Sequence, residues 1–163
     1  MNDFTHLDEH GRVRMVDVGD KPATDRRAVV RGRISMMAET FEKIVHGKTR
    51  KADVLETARV AAIMAAKQTP SLIPMCHPVA IRQVQVEFYP DANAHAIAIE
   101  AIVRAGDCTG VEMEAMTAAT VAALTIYDMC KSHDRAMVIS DICLQEKSGG
   151  KSGTYVRNPS QPR

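Results

Sequence analysis

Apolar and polar positions alternate most clearly between Arg26 and Met36. Ala28, Val30, Gly32 and Ile34 fall on one side, and Arg27, Arg31, Arg33 and Ser35 on the other. A period of two with one basic face predicts a half-buried strand. Val84, Val86 and Phe88 alternate with Gln83, Gln85 and Glu87 in the same way. After a turn at Pro90-Asp91-Ala92-Asn93, the residues Ile97, Ile99, Ala101 and Val103 predict its hairpin partner. Met137–Leu144 reads as a further strand and Met15–Val18 as a short one.

Helical spacing fills the gaps. Ala38–Val45 predicts a short helix. Asp53 followed by Glu56 has the spacing of an N-cap with a reciprocating acid, opening a helix to about Gln68 that Pro70 stops. Ser71–Pro78 reads as irregular. Thr109-Gly110-Val111-Glu112 reads as a capping box at the head of a long alanine-rich helix from about Thr109 to Asp134. The order is then β-α-(α)-β-β-α-β. It predicts an α+β, ferredoxin-like βαββαβ fold, with an antiparallel sheet and helices packed on one face. Residues 1–14 are expected to be a flexible N-terminal arm, 15–157 a single catalytic domain and 158–163 a disordered tail.

Composition narrows the function. A net charge of +1 with 4% aromatic residues argues against nucleic-acid recognition. No run reaches the roughly 18 apolar residues of a membrane span. Four cysteines without CxxC or disulfide-like spacing read as reduced thiols, and the N-terminus lacks a signal core, so a cytoplasmic protein is expected.

Three segments could carry chemistry. His77, in Met75-Cys76-His77-Pro78, lies in a proline-braced loop and is either a structural histidine or a group able to titrate near neutrality. On the long helix, Glu114, Val121, Thr125 and Asp128 form one stripe, with Lys131 one turn beyond Asp128. An Asp–Lys pair three apart is either an ordinary surface ion pair or a lysine held for proton transfer. Glu114 and Asp128 are about 21 Å apart along the axis, so they cannot hold one small ligand from one helix. Either only one end is catalytic, or two subunits pair opposite ends across a two-fold axis.

Lys147-Ser148-Gly149-Gly150-Lys151-Ser152-Gly153 is either a phosphate-gripping loop or a polar tail. It is no P-loop, since Gln145 stands where the first glycine is required. Zinc on Cys130, His133, Cys76 and His77 is the poorest reading, because adjacent ligands crowd one tetrahedral ion.

Taken together, FTHLDEHGRVRMVDVGDK, LIPMCHP, TGVEMEAMTAATVAALTIYDMCK and KSGGKSG, in this order, resemble the cyclic pyranopterin monophosphate synthase family of molybdenum cofactor biosynthesis. The resemblance implies a lyase. It would convert 3′,8-cyclo-7,8-dihydro-GTP, supplied by a radical SAM enzyme, to cyclic pyranopterin monophosphate with release of pyrophosphate. It implies a homo-hexamer built as a trimer of dimers, with sites between subunits. Carried over by motif, Asp128, Lys131 and Lys51 would be catalytic. Met75, Cys76, His77, Glu112, Met113 and Glu114 would line the substrate pocket. Arg26, Lys67, Lys147 and Lys151 would hold the triphosphate. No cofactor or metal site is implied, and magnesium with the triphosphate is left open. Cys108 departs from the pattern, standing where the family often has a basic residue. The competing class is a non-catalytic ligand-binding module, which a ferredoxin-like fold would equally support.

Overall fold

The computed structural model describes residues 5–46 and 54–158. The basic loop Gly47–Lys51, with Lys48 and Lys51, and the expected cap at Asp53 lie outside those residues, as does most of the predicted tail. The elements are β1 (Thr24–Ser35), α1 (Ala38–Val45), α2 (Val54–Lys67), α3 (Thr69–Leu72), β2 (Ile81–Asp91), β3 (Ala96–Asp107), α4 (Glu112–Cys130), β4 (Val138–Ser148) and β5 (Tyr155–Val156). The strands form one antiparallel sheet in the order β2-β3-β1-β4-β5. Without the short β5, this is the ferredoxin-like arrangement expected from the alternation.

The sheet buries the face that the pattern assigned to the core. Ala28, Val30 and Ile34 of β1 and Ile97, Ile99, Ala101 and Val103 of β3 are fully shielded. The other face carries charge: Arg31 pairs with Glu100 and Arg27 with Glu146 across neighbouring strands. α4 packs on β1, β3 and β4, and α2 packs on β2 and along α4. Both helices present alanines: Ala58, Ala62 and Ala66 on α2, and Ala115, Ala118, Ala119, Ala122 and Ala123 on α4. Small side chains let two helices and a sheet approach closely, since interaxial distance is set by what stands between.

Several boundaries differ from the sequence reading. Met15–Val18 forms no strand. The β2–β3 turn comes later than expected: Pro90 and Asp91 still pair with Ile97 and Ala96. Asp91 Oδ1 then accepts the N–H groups of Asn93 and Ala94. Pro70 opens α3 as well as ending α2, because a proline is tolerated in a helix's first turn. β4 runs on to Ser148 through a bulge, where Asp141 takes φ +57°.

The capping box does not form. α4 begins at Glu112, Val111 is its N-cap, and no side chain caps it. The Glu112 carboxylate instead lies against Gly110, where an added Cβ would stand 1.9 Å from Oε2. The helix ends at Cys130 rather than Asp134. Asp134 is buried there, accepting the N–H groups of Met37 (2.7 Å) and Ala136 (2.9 Å).

Candidate functional site

Two segments distant in sequence meet at the head of α4. One is the turn Cys108–Val111 with the first turn of the helix. The other is the Pro74–Pro78 stretch between α3 and β2. Together they border a cleft of about 280 Å³ lined by Met75, Cys76, His77, Glu112, Met113 and Glu114. These are the six residues assigned to a substrate pocket in the sequence, and one chain brings them together.

Arg26 and Asp107 hold this junction. Arg26 is 9% exposed and donates Nε to the carbonyl of Asp107 (3.0 Å) and Nη2 to that of Cys108 (2.9 Å). Asp107 Oδ2 accepts the N–H of Ala80 (3.2 Å), and Oδ1 accepts that of Cys108 (2.7 Å). The loop carrying His77 is thereby tied to the turn carrying Gly110. Arg26 is absent from the cleft's lining, so in this chain it braces the cleft rather than facing it. Its guanidinium also fills the space over Gly150, where a Cβ would come 1.7 Å from Nη1.

The cleft has an acidic, desolvated floor. Glu114 is 2% exposed. Burial raises its carboxyl above the usual carboxylate range. A hydrogen bond from its own N–H works against this, and the charges of Glu112 and Asp107 add to the rise. Burial also raises the Cys76 thiol, helped by the charge of Glu114, which favours the neutral thiol over a thiolate nucleophile.

The other end of α4 is different in kind. Lys131 Nζ bonds Asp128 Oδ1 at 2.5 Å, with the two side chains 56% and 71% exposed. The hydrogen bond to Asp128, then its charge, raises the Lys131 ammonium above the ordinary lysine value. In the single chain this lysine is held as a cation, because the opposing effect of burial is smaller than that of Asp128. None of Asp128, Lys131, Lys67, Lys147 and Lys151 lines the cleft, and Lys51 lies outside the described residues. Lys67 and Lys151 are exposed. Lys147 donates to Ser152 Oγ within the hairpin that joins β4 to β5. Gly149 takes φ +96° there, and a Cβ would meet the carbonyl of Asp25 at 2.1 Å. The glycine run is therefore a tight turn leading into a strand, which the sequence reading did not foresee.

Sequence reasoning missed one wall. Thr5, His6, Val16, Val18 and Lys21 also line the cleft. The alternation of Val16 and Val18 around Asp17 was the available signal, but it was read as a short strand. Among the described residues, no group of three or more His, Cys, Asp or Glu side chains could hold a metal ion. Cys130, one of the zinc candidates, is buried in the core.

Residues 15–150 match the model of the MoaC family. A cyclic pyranopterin monophosphate synthase of Desulforapulum autotrophicum is 58% identical over 156 residues, covering 96% of each chain. One of Desulfatibacillum aliphaticivorans is 57% identical over 96% of this chain and 98% of its own. One of Pelotomaculum thermopropionicum is 57% identical over 96% and 92%. With a family match across most of its length and full-length relatives at this identity, the chain belongs to the MoaC family.

Proposed function

We propose that the chain is a cyclic pyranopterin monophosphate synthase, a lyase of molybdenum cofactor biosynthesis acting on 3′,8-cyclo-7,8-dihydro-GTP. The observation that carries this reading is the cleft at the head of α4, with Glu114 at its floor beside Met75-Cys76-His77. A carboxyl group there can take the paired N–H edge of a guanine-type ring as a carboxylate accepting two bonds. Burial raises this carboxyl above the usual carboxylate range, and accepting the N–H edge of a ligand would oppose that rise by stabilising the carboxylate.

The reaction opens the purine and rebuilds it as a pterin. The α-phosphate cyclises and pyrophosphate leaves. Each step moves protons, which suits Lys131, Asp128 and Lys51 as acid–base groups. Asp128 lies about 21 Å along α4 from Glu114. That separation supports a site completed by a second copy, whose α4 delivers its far end to the cleft. A neighbouring cation, Lys51 being the candidate, would lower the Lys131 ammonium there toward a useful value. The assembly is read as a homo-hexamer of three such dimers.

Arg26, Lys67, Lys147 and Lys151 are kept as triphosphate candidates for the assembled site. The substrate would come from a radical SAM enzyme in the cytoplasm, where four free cysteines are at home. No helix among the described residues is long and apolar enough to cross a membrane.

Incubating the purified protein with 3′,8-cyclo-7,8-dihydro-GTP tests the reading. Release of pyrophosphate with formation of the cyclic monophosphate is the expected result. Binding without turnover would make the chain a ligand-binding module instead.

A further inference from the structure

The wall of the cleft contributed by Thr5–Lys21 has no role in the function as read so far. Its side chains are arranged around the cleft. Val16 and Val18 point into the lining and Asp17 does not. Asp17 Oδ1 accepts the N–H of Gly19 (2.9 Å), and the carbonyl of Val18 accepts the N–H of Lys21 (3.1 Å). These two bonds turn the chain at Gly19-Asp20 and return Lys21 to the cleft. Lys21 is the only lysine or arginine among the described residues that lines it, facing a lining that also holds Glu112 and Glu114. No side-chain hydrogen bond or ion pair occupies its ammonium among the described residues.

A cleft with a desolvated carboxyl at one place and an uncommitted cation at another has a polarity. It suits a ligand with a hydrogen-bond-donating, uncharged end and an anionic end, and an anionic group cannot sit against Glu112 and Glu114. We propose that Lys21 is a ligand-binding residue that takes the anionic, phosphate-bearing end of the ligand, so that Lys21 and Glu114 together fix the ligand's direction in the cleft. This deepens the reading above and rests on it for the identity of the ligand. An ammonium is suited to the task because it is a compact charge on a flexible stem and needs no fixed geometry. The apolar side chains of Val16 and Val18 give the ribose-like middle of such a ligand a dry surface.

GTP and guanosine are the probes, since they share the base and sugar and differ in the phosphates. Titration calorimetry on the full chain should show GTP bound more tightly than guanosine. In Lys21→Ala the preference should fall by about tenfold, the loss of one charge-assisted contact. Guanosine affinity should hardly change. Lys21→Gln, which keeps the stem, should behave like Lys21→Ala, and Lys21→Arg should restore most of the preference. Lys43→Ala removes a cation on α1, paired with Glu39 away from the cleft, and should leave the preference intact. An unchanged preference in both neutral variants, or no preference in the unmodified protein, would overturn the proposal. A separate assay of pyrophosphate release from the cyclised GTP by the unmodified protein tests the enzymatic reading. If that fails while the GTP preference still depends on Lys21, the binding role stands and the lyase assignment falls.

Discussion

The two ends of α4 carry acidic residues in opposite environments. Glu114, in the first turn, is shielded from solvent and shifted toward its neutral form. Asp128, near the last turn, is exposed and holds Lys131 in its charged form. One helix thus offers a desolvated site that can select a ligand and, about 21 Å away, a solvated ion pair. An exposed ion pair adds at most about 1 kcal/mol to stability, so folding alone gives little reason for it. The contrast is one of solvation: the head of the helix is shielded and its far end is open to solvent.

Removing the ammonium is the strongest way to break the comparison. Lys131→Ala should leave the melting temperature almost unchanged and cut product formation by roughly 100- to 10,000-fold, the usual worth of a positioned acid or base. Near-normal turnover by the purified variant would strip the far end of its role. The next test asks whether the two ends meet between chains. Inactive Lys131→Ala and inactive His77→Ala chains, unfolded and refolded together, should recover roughly a quarter of normal activity if each site takes one end from each partner of a dimer. No recovery in confirmed mixed oligomers would place both roles within one chain.

Glu114→Gln sharpens the other end. Replacing a charge-accepting carboxyl should raise KM by about tenfold to a hundredfold. It should also change the pH dependence of the unliganded fold. The folded carboxyl binds its proton more tightly than the unfolded one, whose ordinary value is 4.5. The stability this adds is fully present below about 4.5 and is lost as pH rises through the raised folded value. Glutamine does not titrate, so thermal melts across that window should lose this decline. An identical decline in the variant would show that Glu114 is not its source. The smallest effect on stability belongs to Asp128→Asn. As an exposed pair it should cost less than about 1 kcal/mol by chemical denaturation, while the Lys131 ammonium moves back toward its ordinary value, readable by NMR titration.

Much of the fold was legible because sheet burial writes itself into alternation. Ala28, Val30 and Ile34, and Ile97, Ile99 and Val103, could be assigned inward from the pattern alone, and all are buried. Where tertiary contacts override a local rule, the reading drifted. Thr109 and Glu112 have capping-box spacing, yet the Glu112 carboxylate lies against Gly110 instead. Val16 and Val18 alternate like a short strand, but they form none and instead line the cleft, half-buried. The six residues that line the cleft were named through motif resemblance. The brace formed by Arg26 and Asp107 was not, because no local spacing shows that a strand residue at 26 reaches carbonyls at 107 and 108.

That brace has a consequence for how the sequence can drift. Arg26 grips the turn by its backbone, and Asp107 holds Ala80 and Cys108 by their amides. Neither interaction reads the side chain at position 108. The side chain at 108 therefore takes no part in holding Glu112, Glu114 or the loop carrying His77 in place. The junction fixes its own geometry through backbone groups while leaving one side chain on the cleft's margin open to substitution.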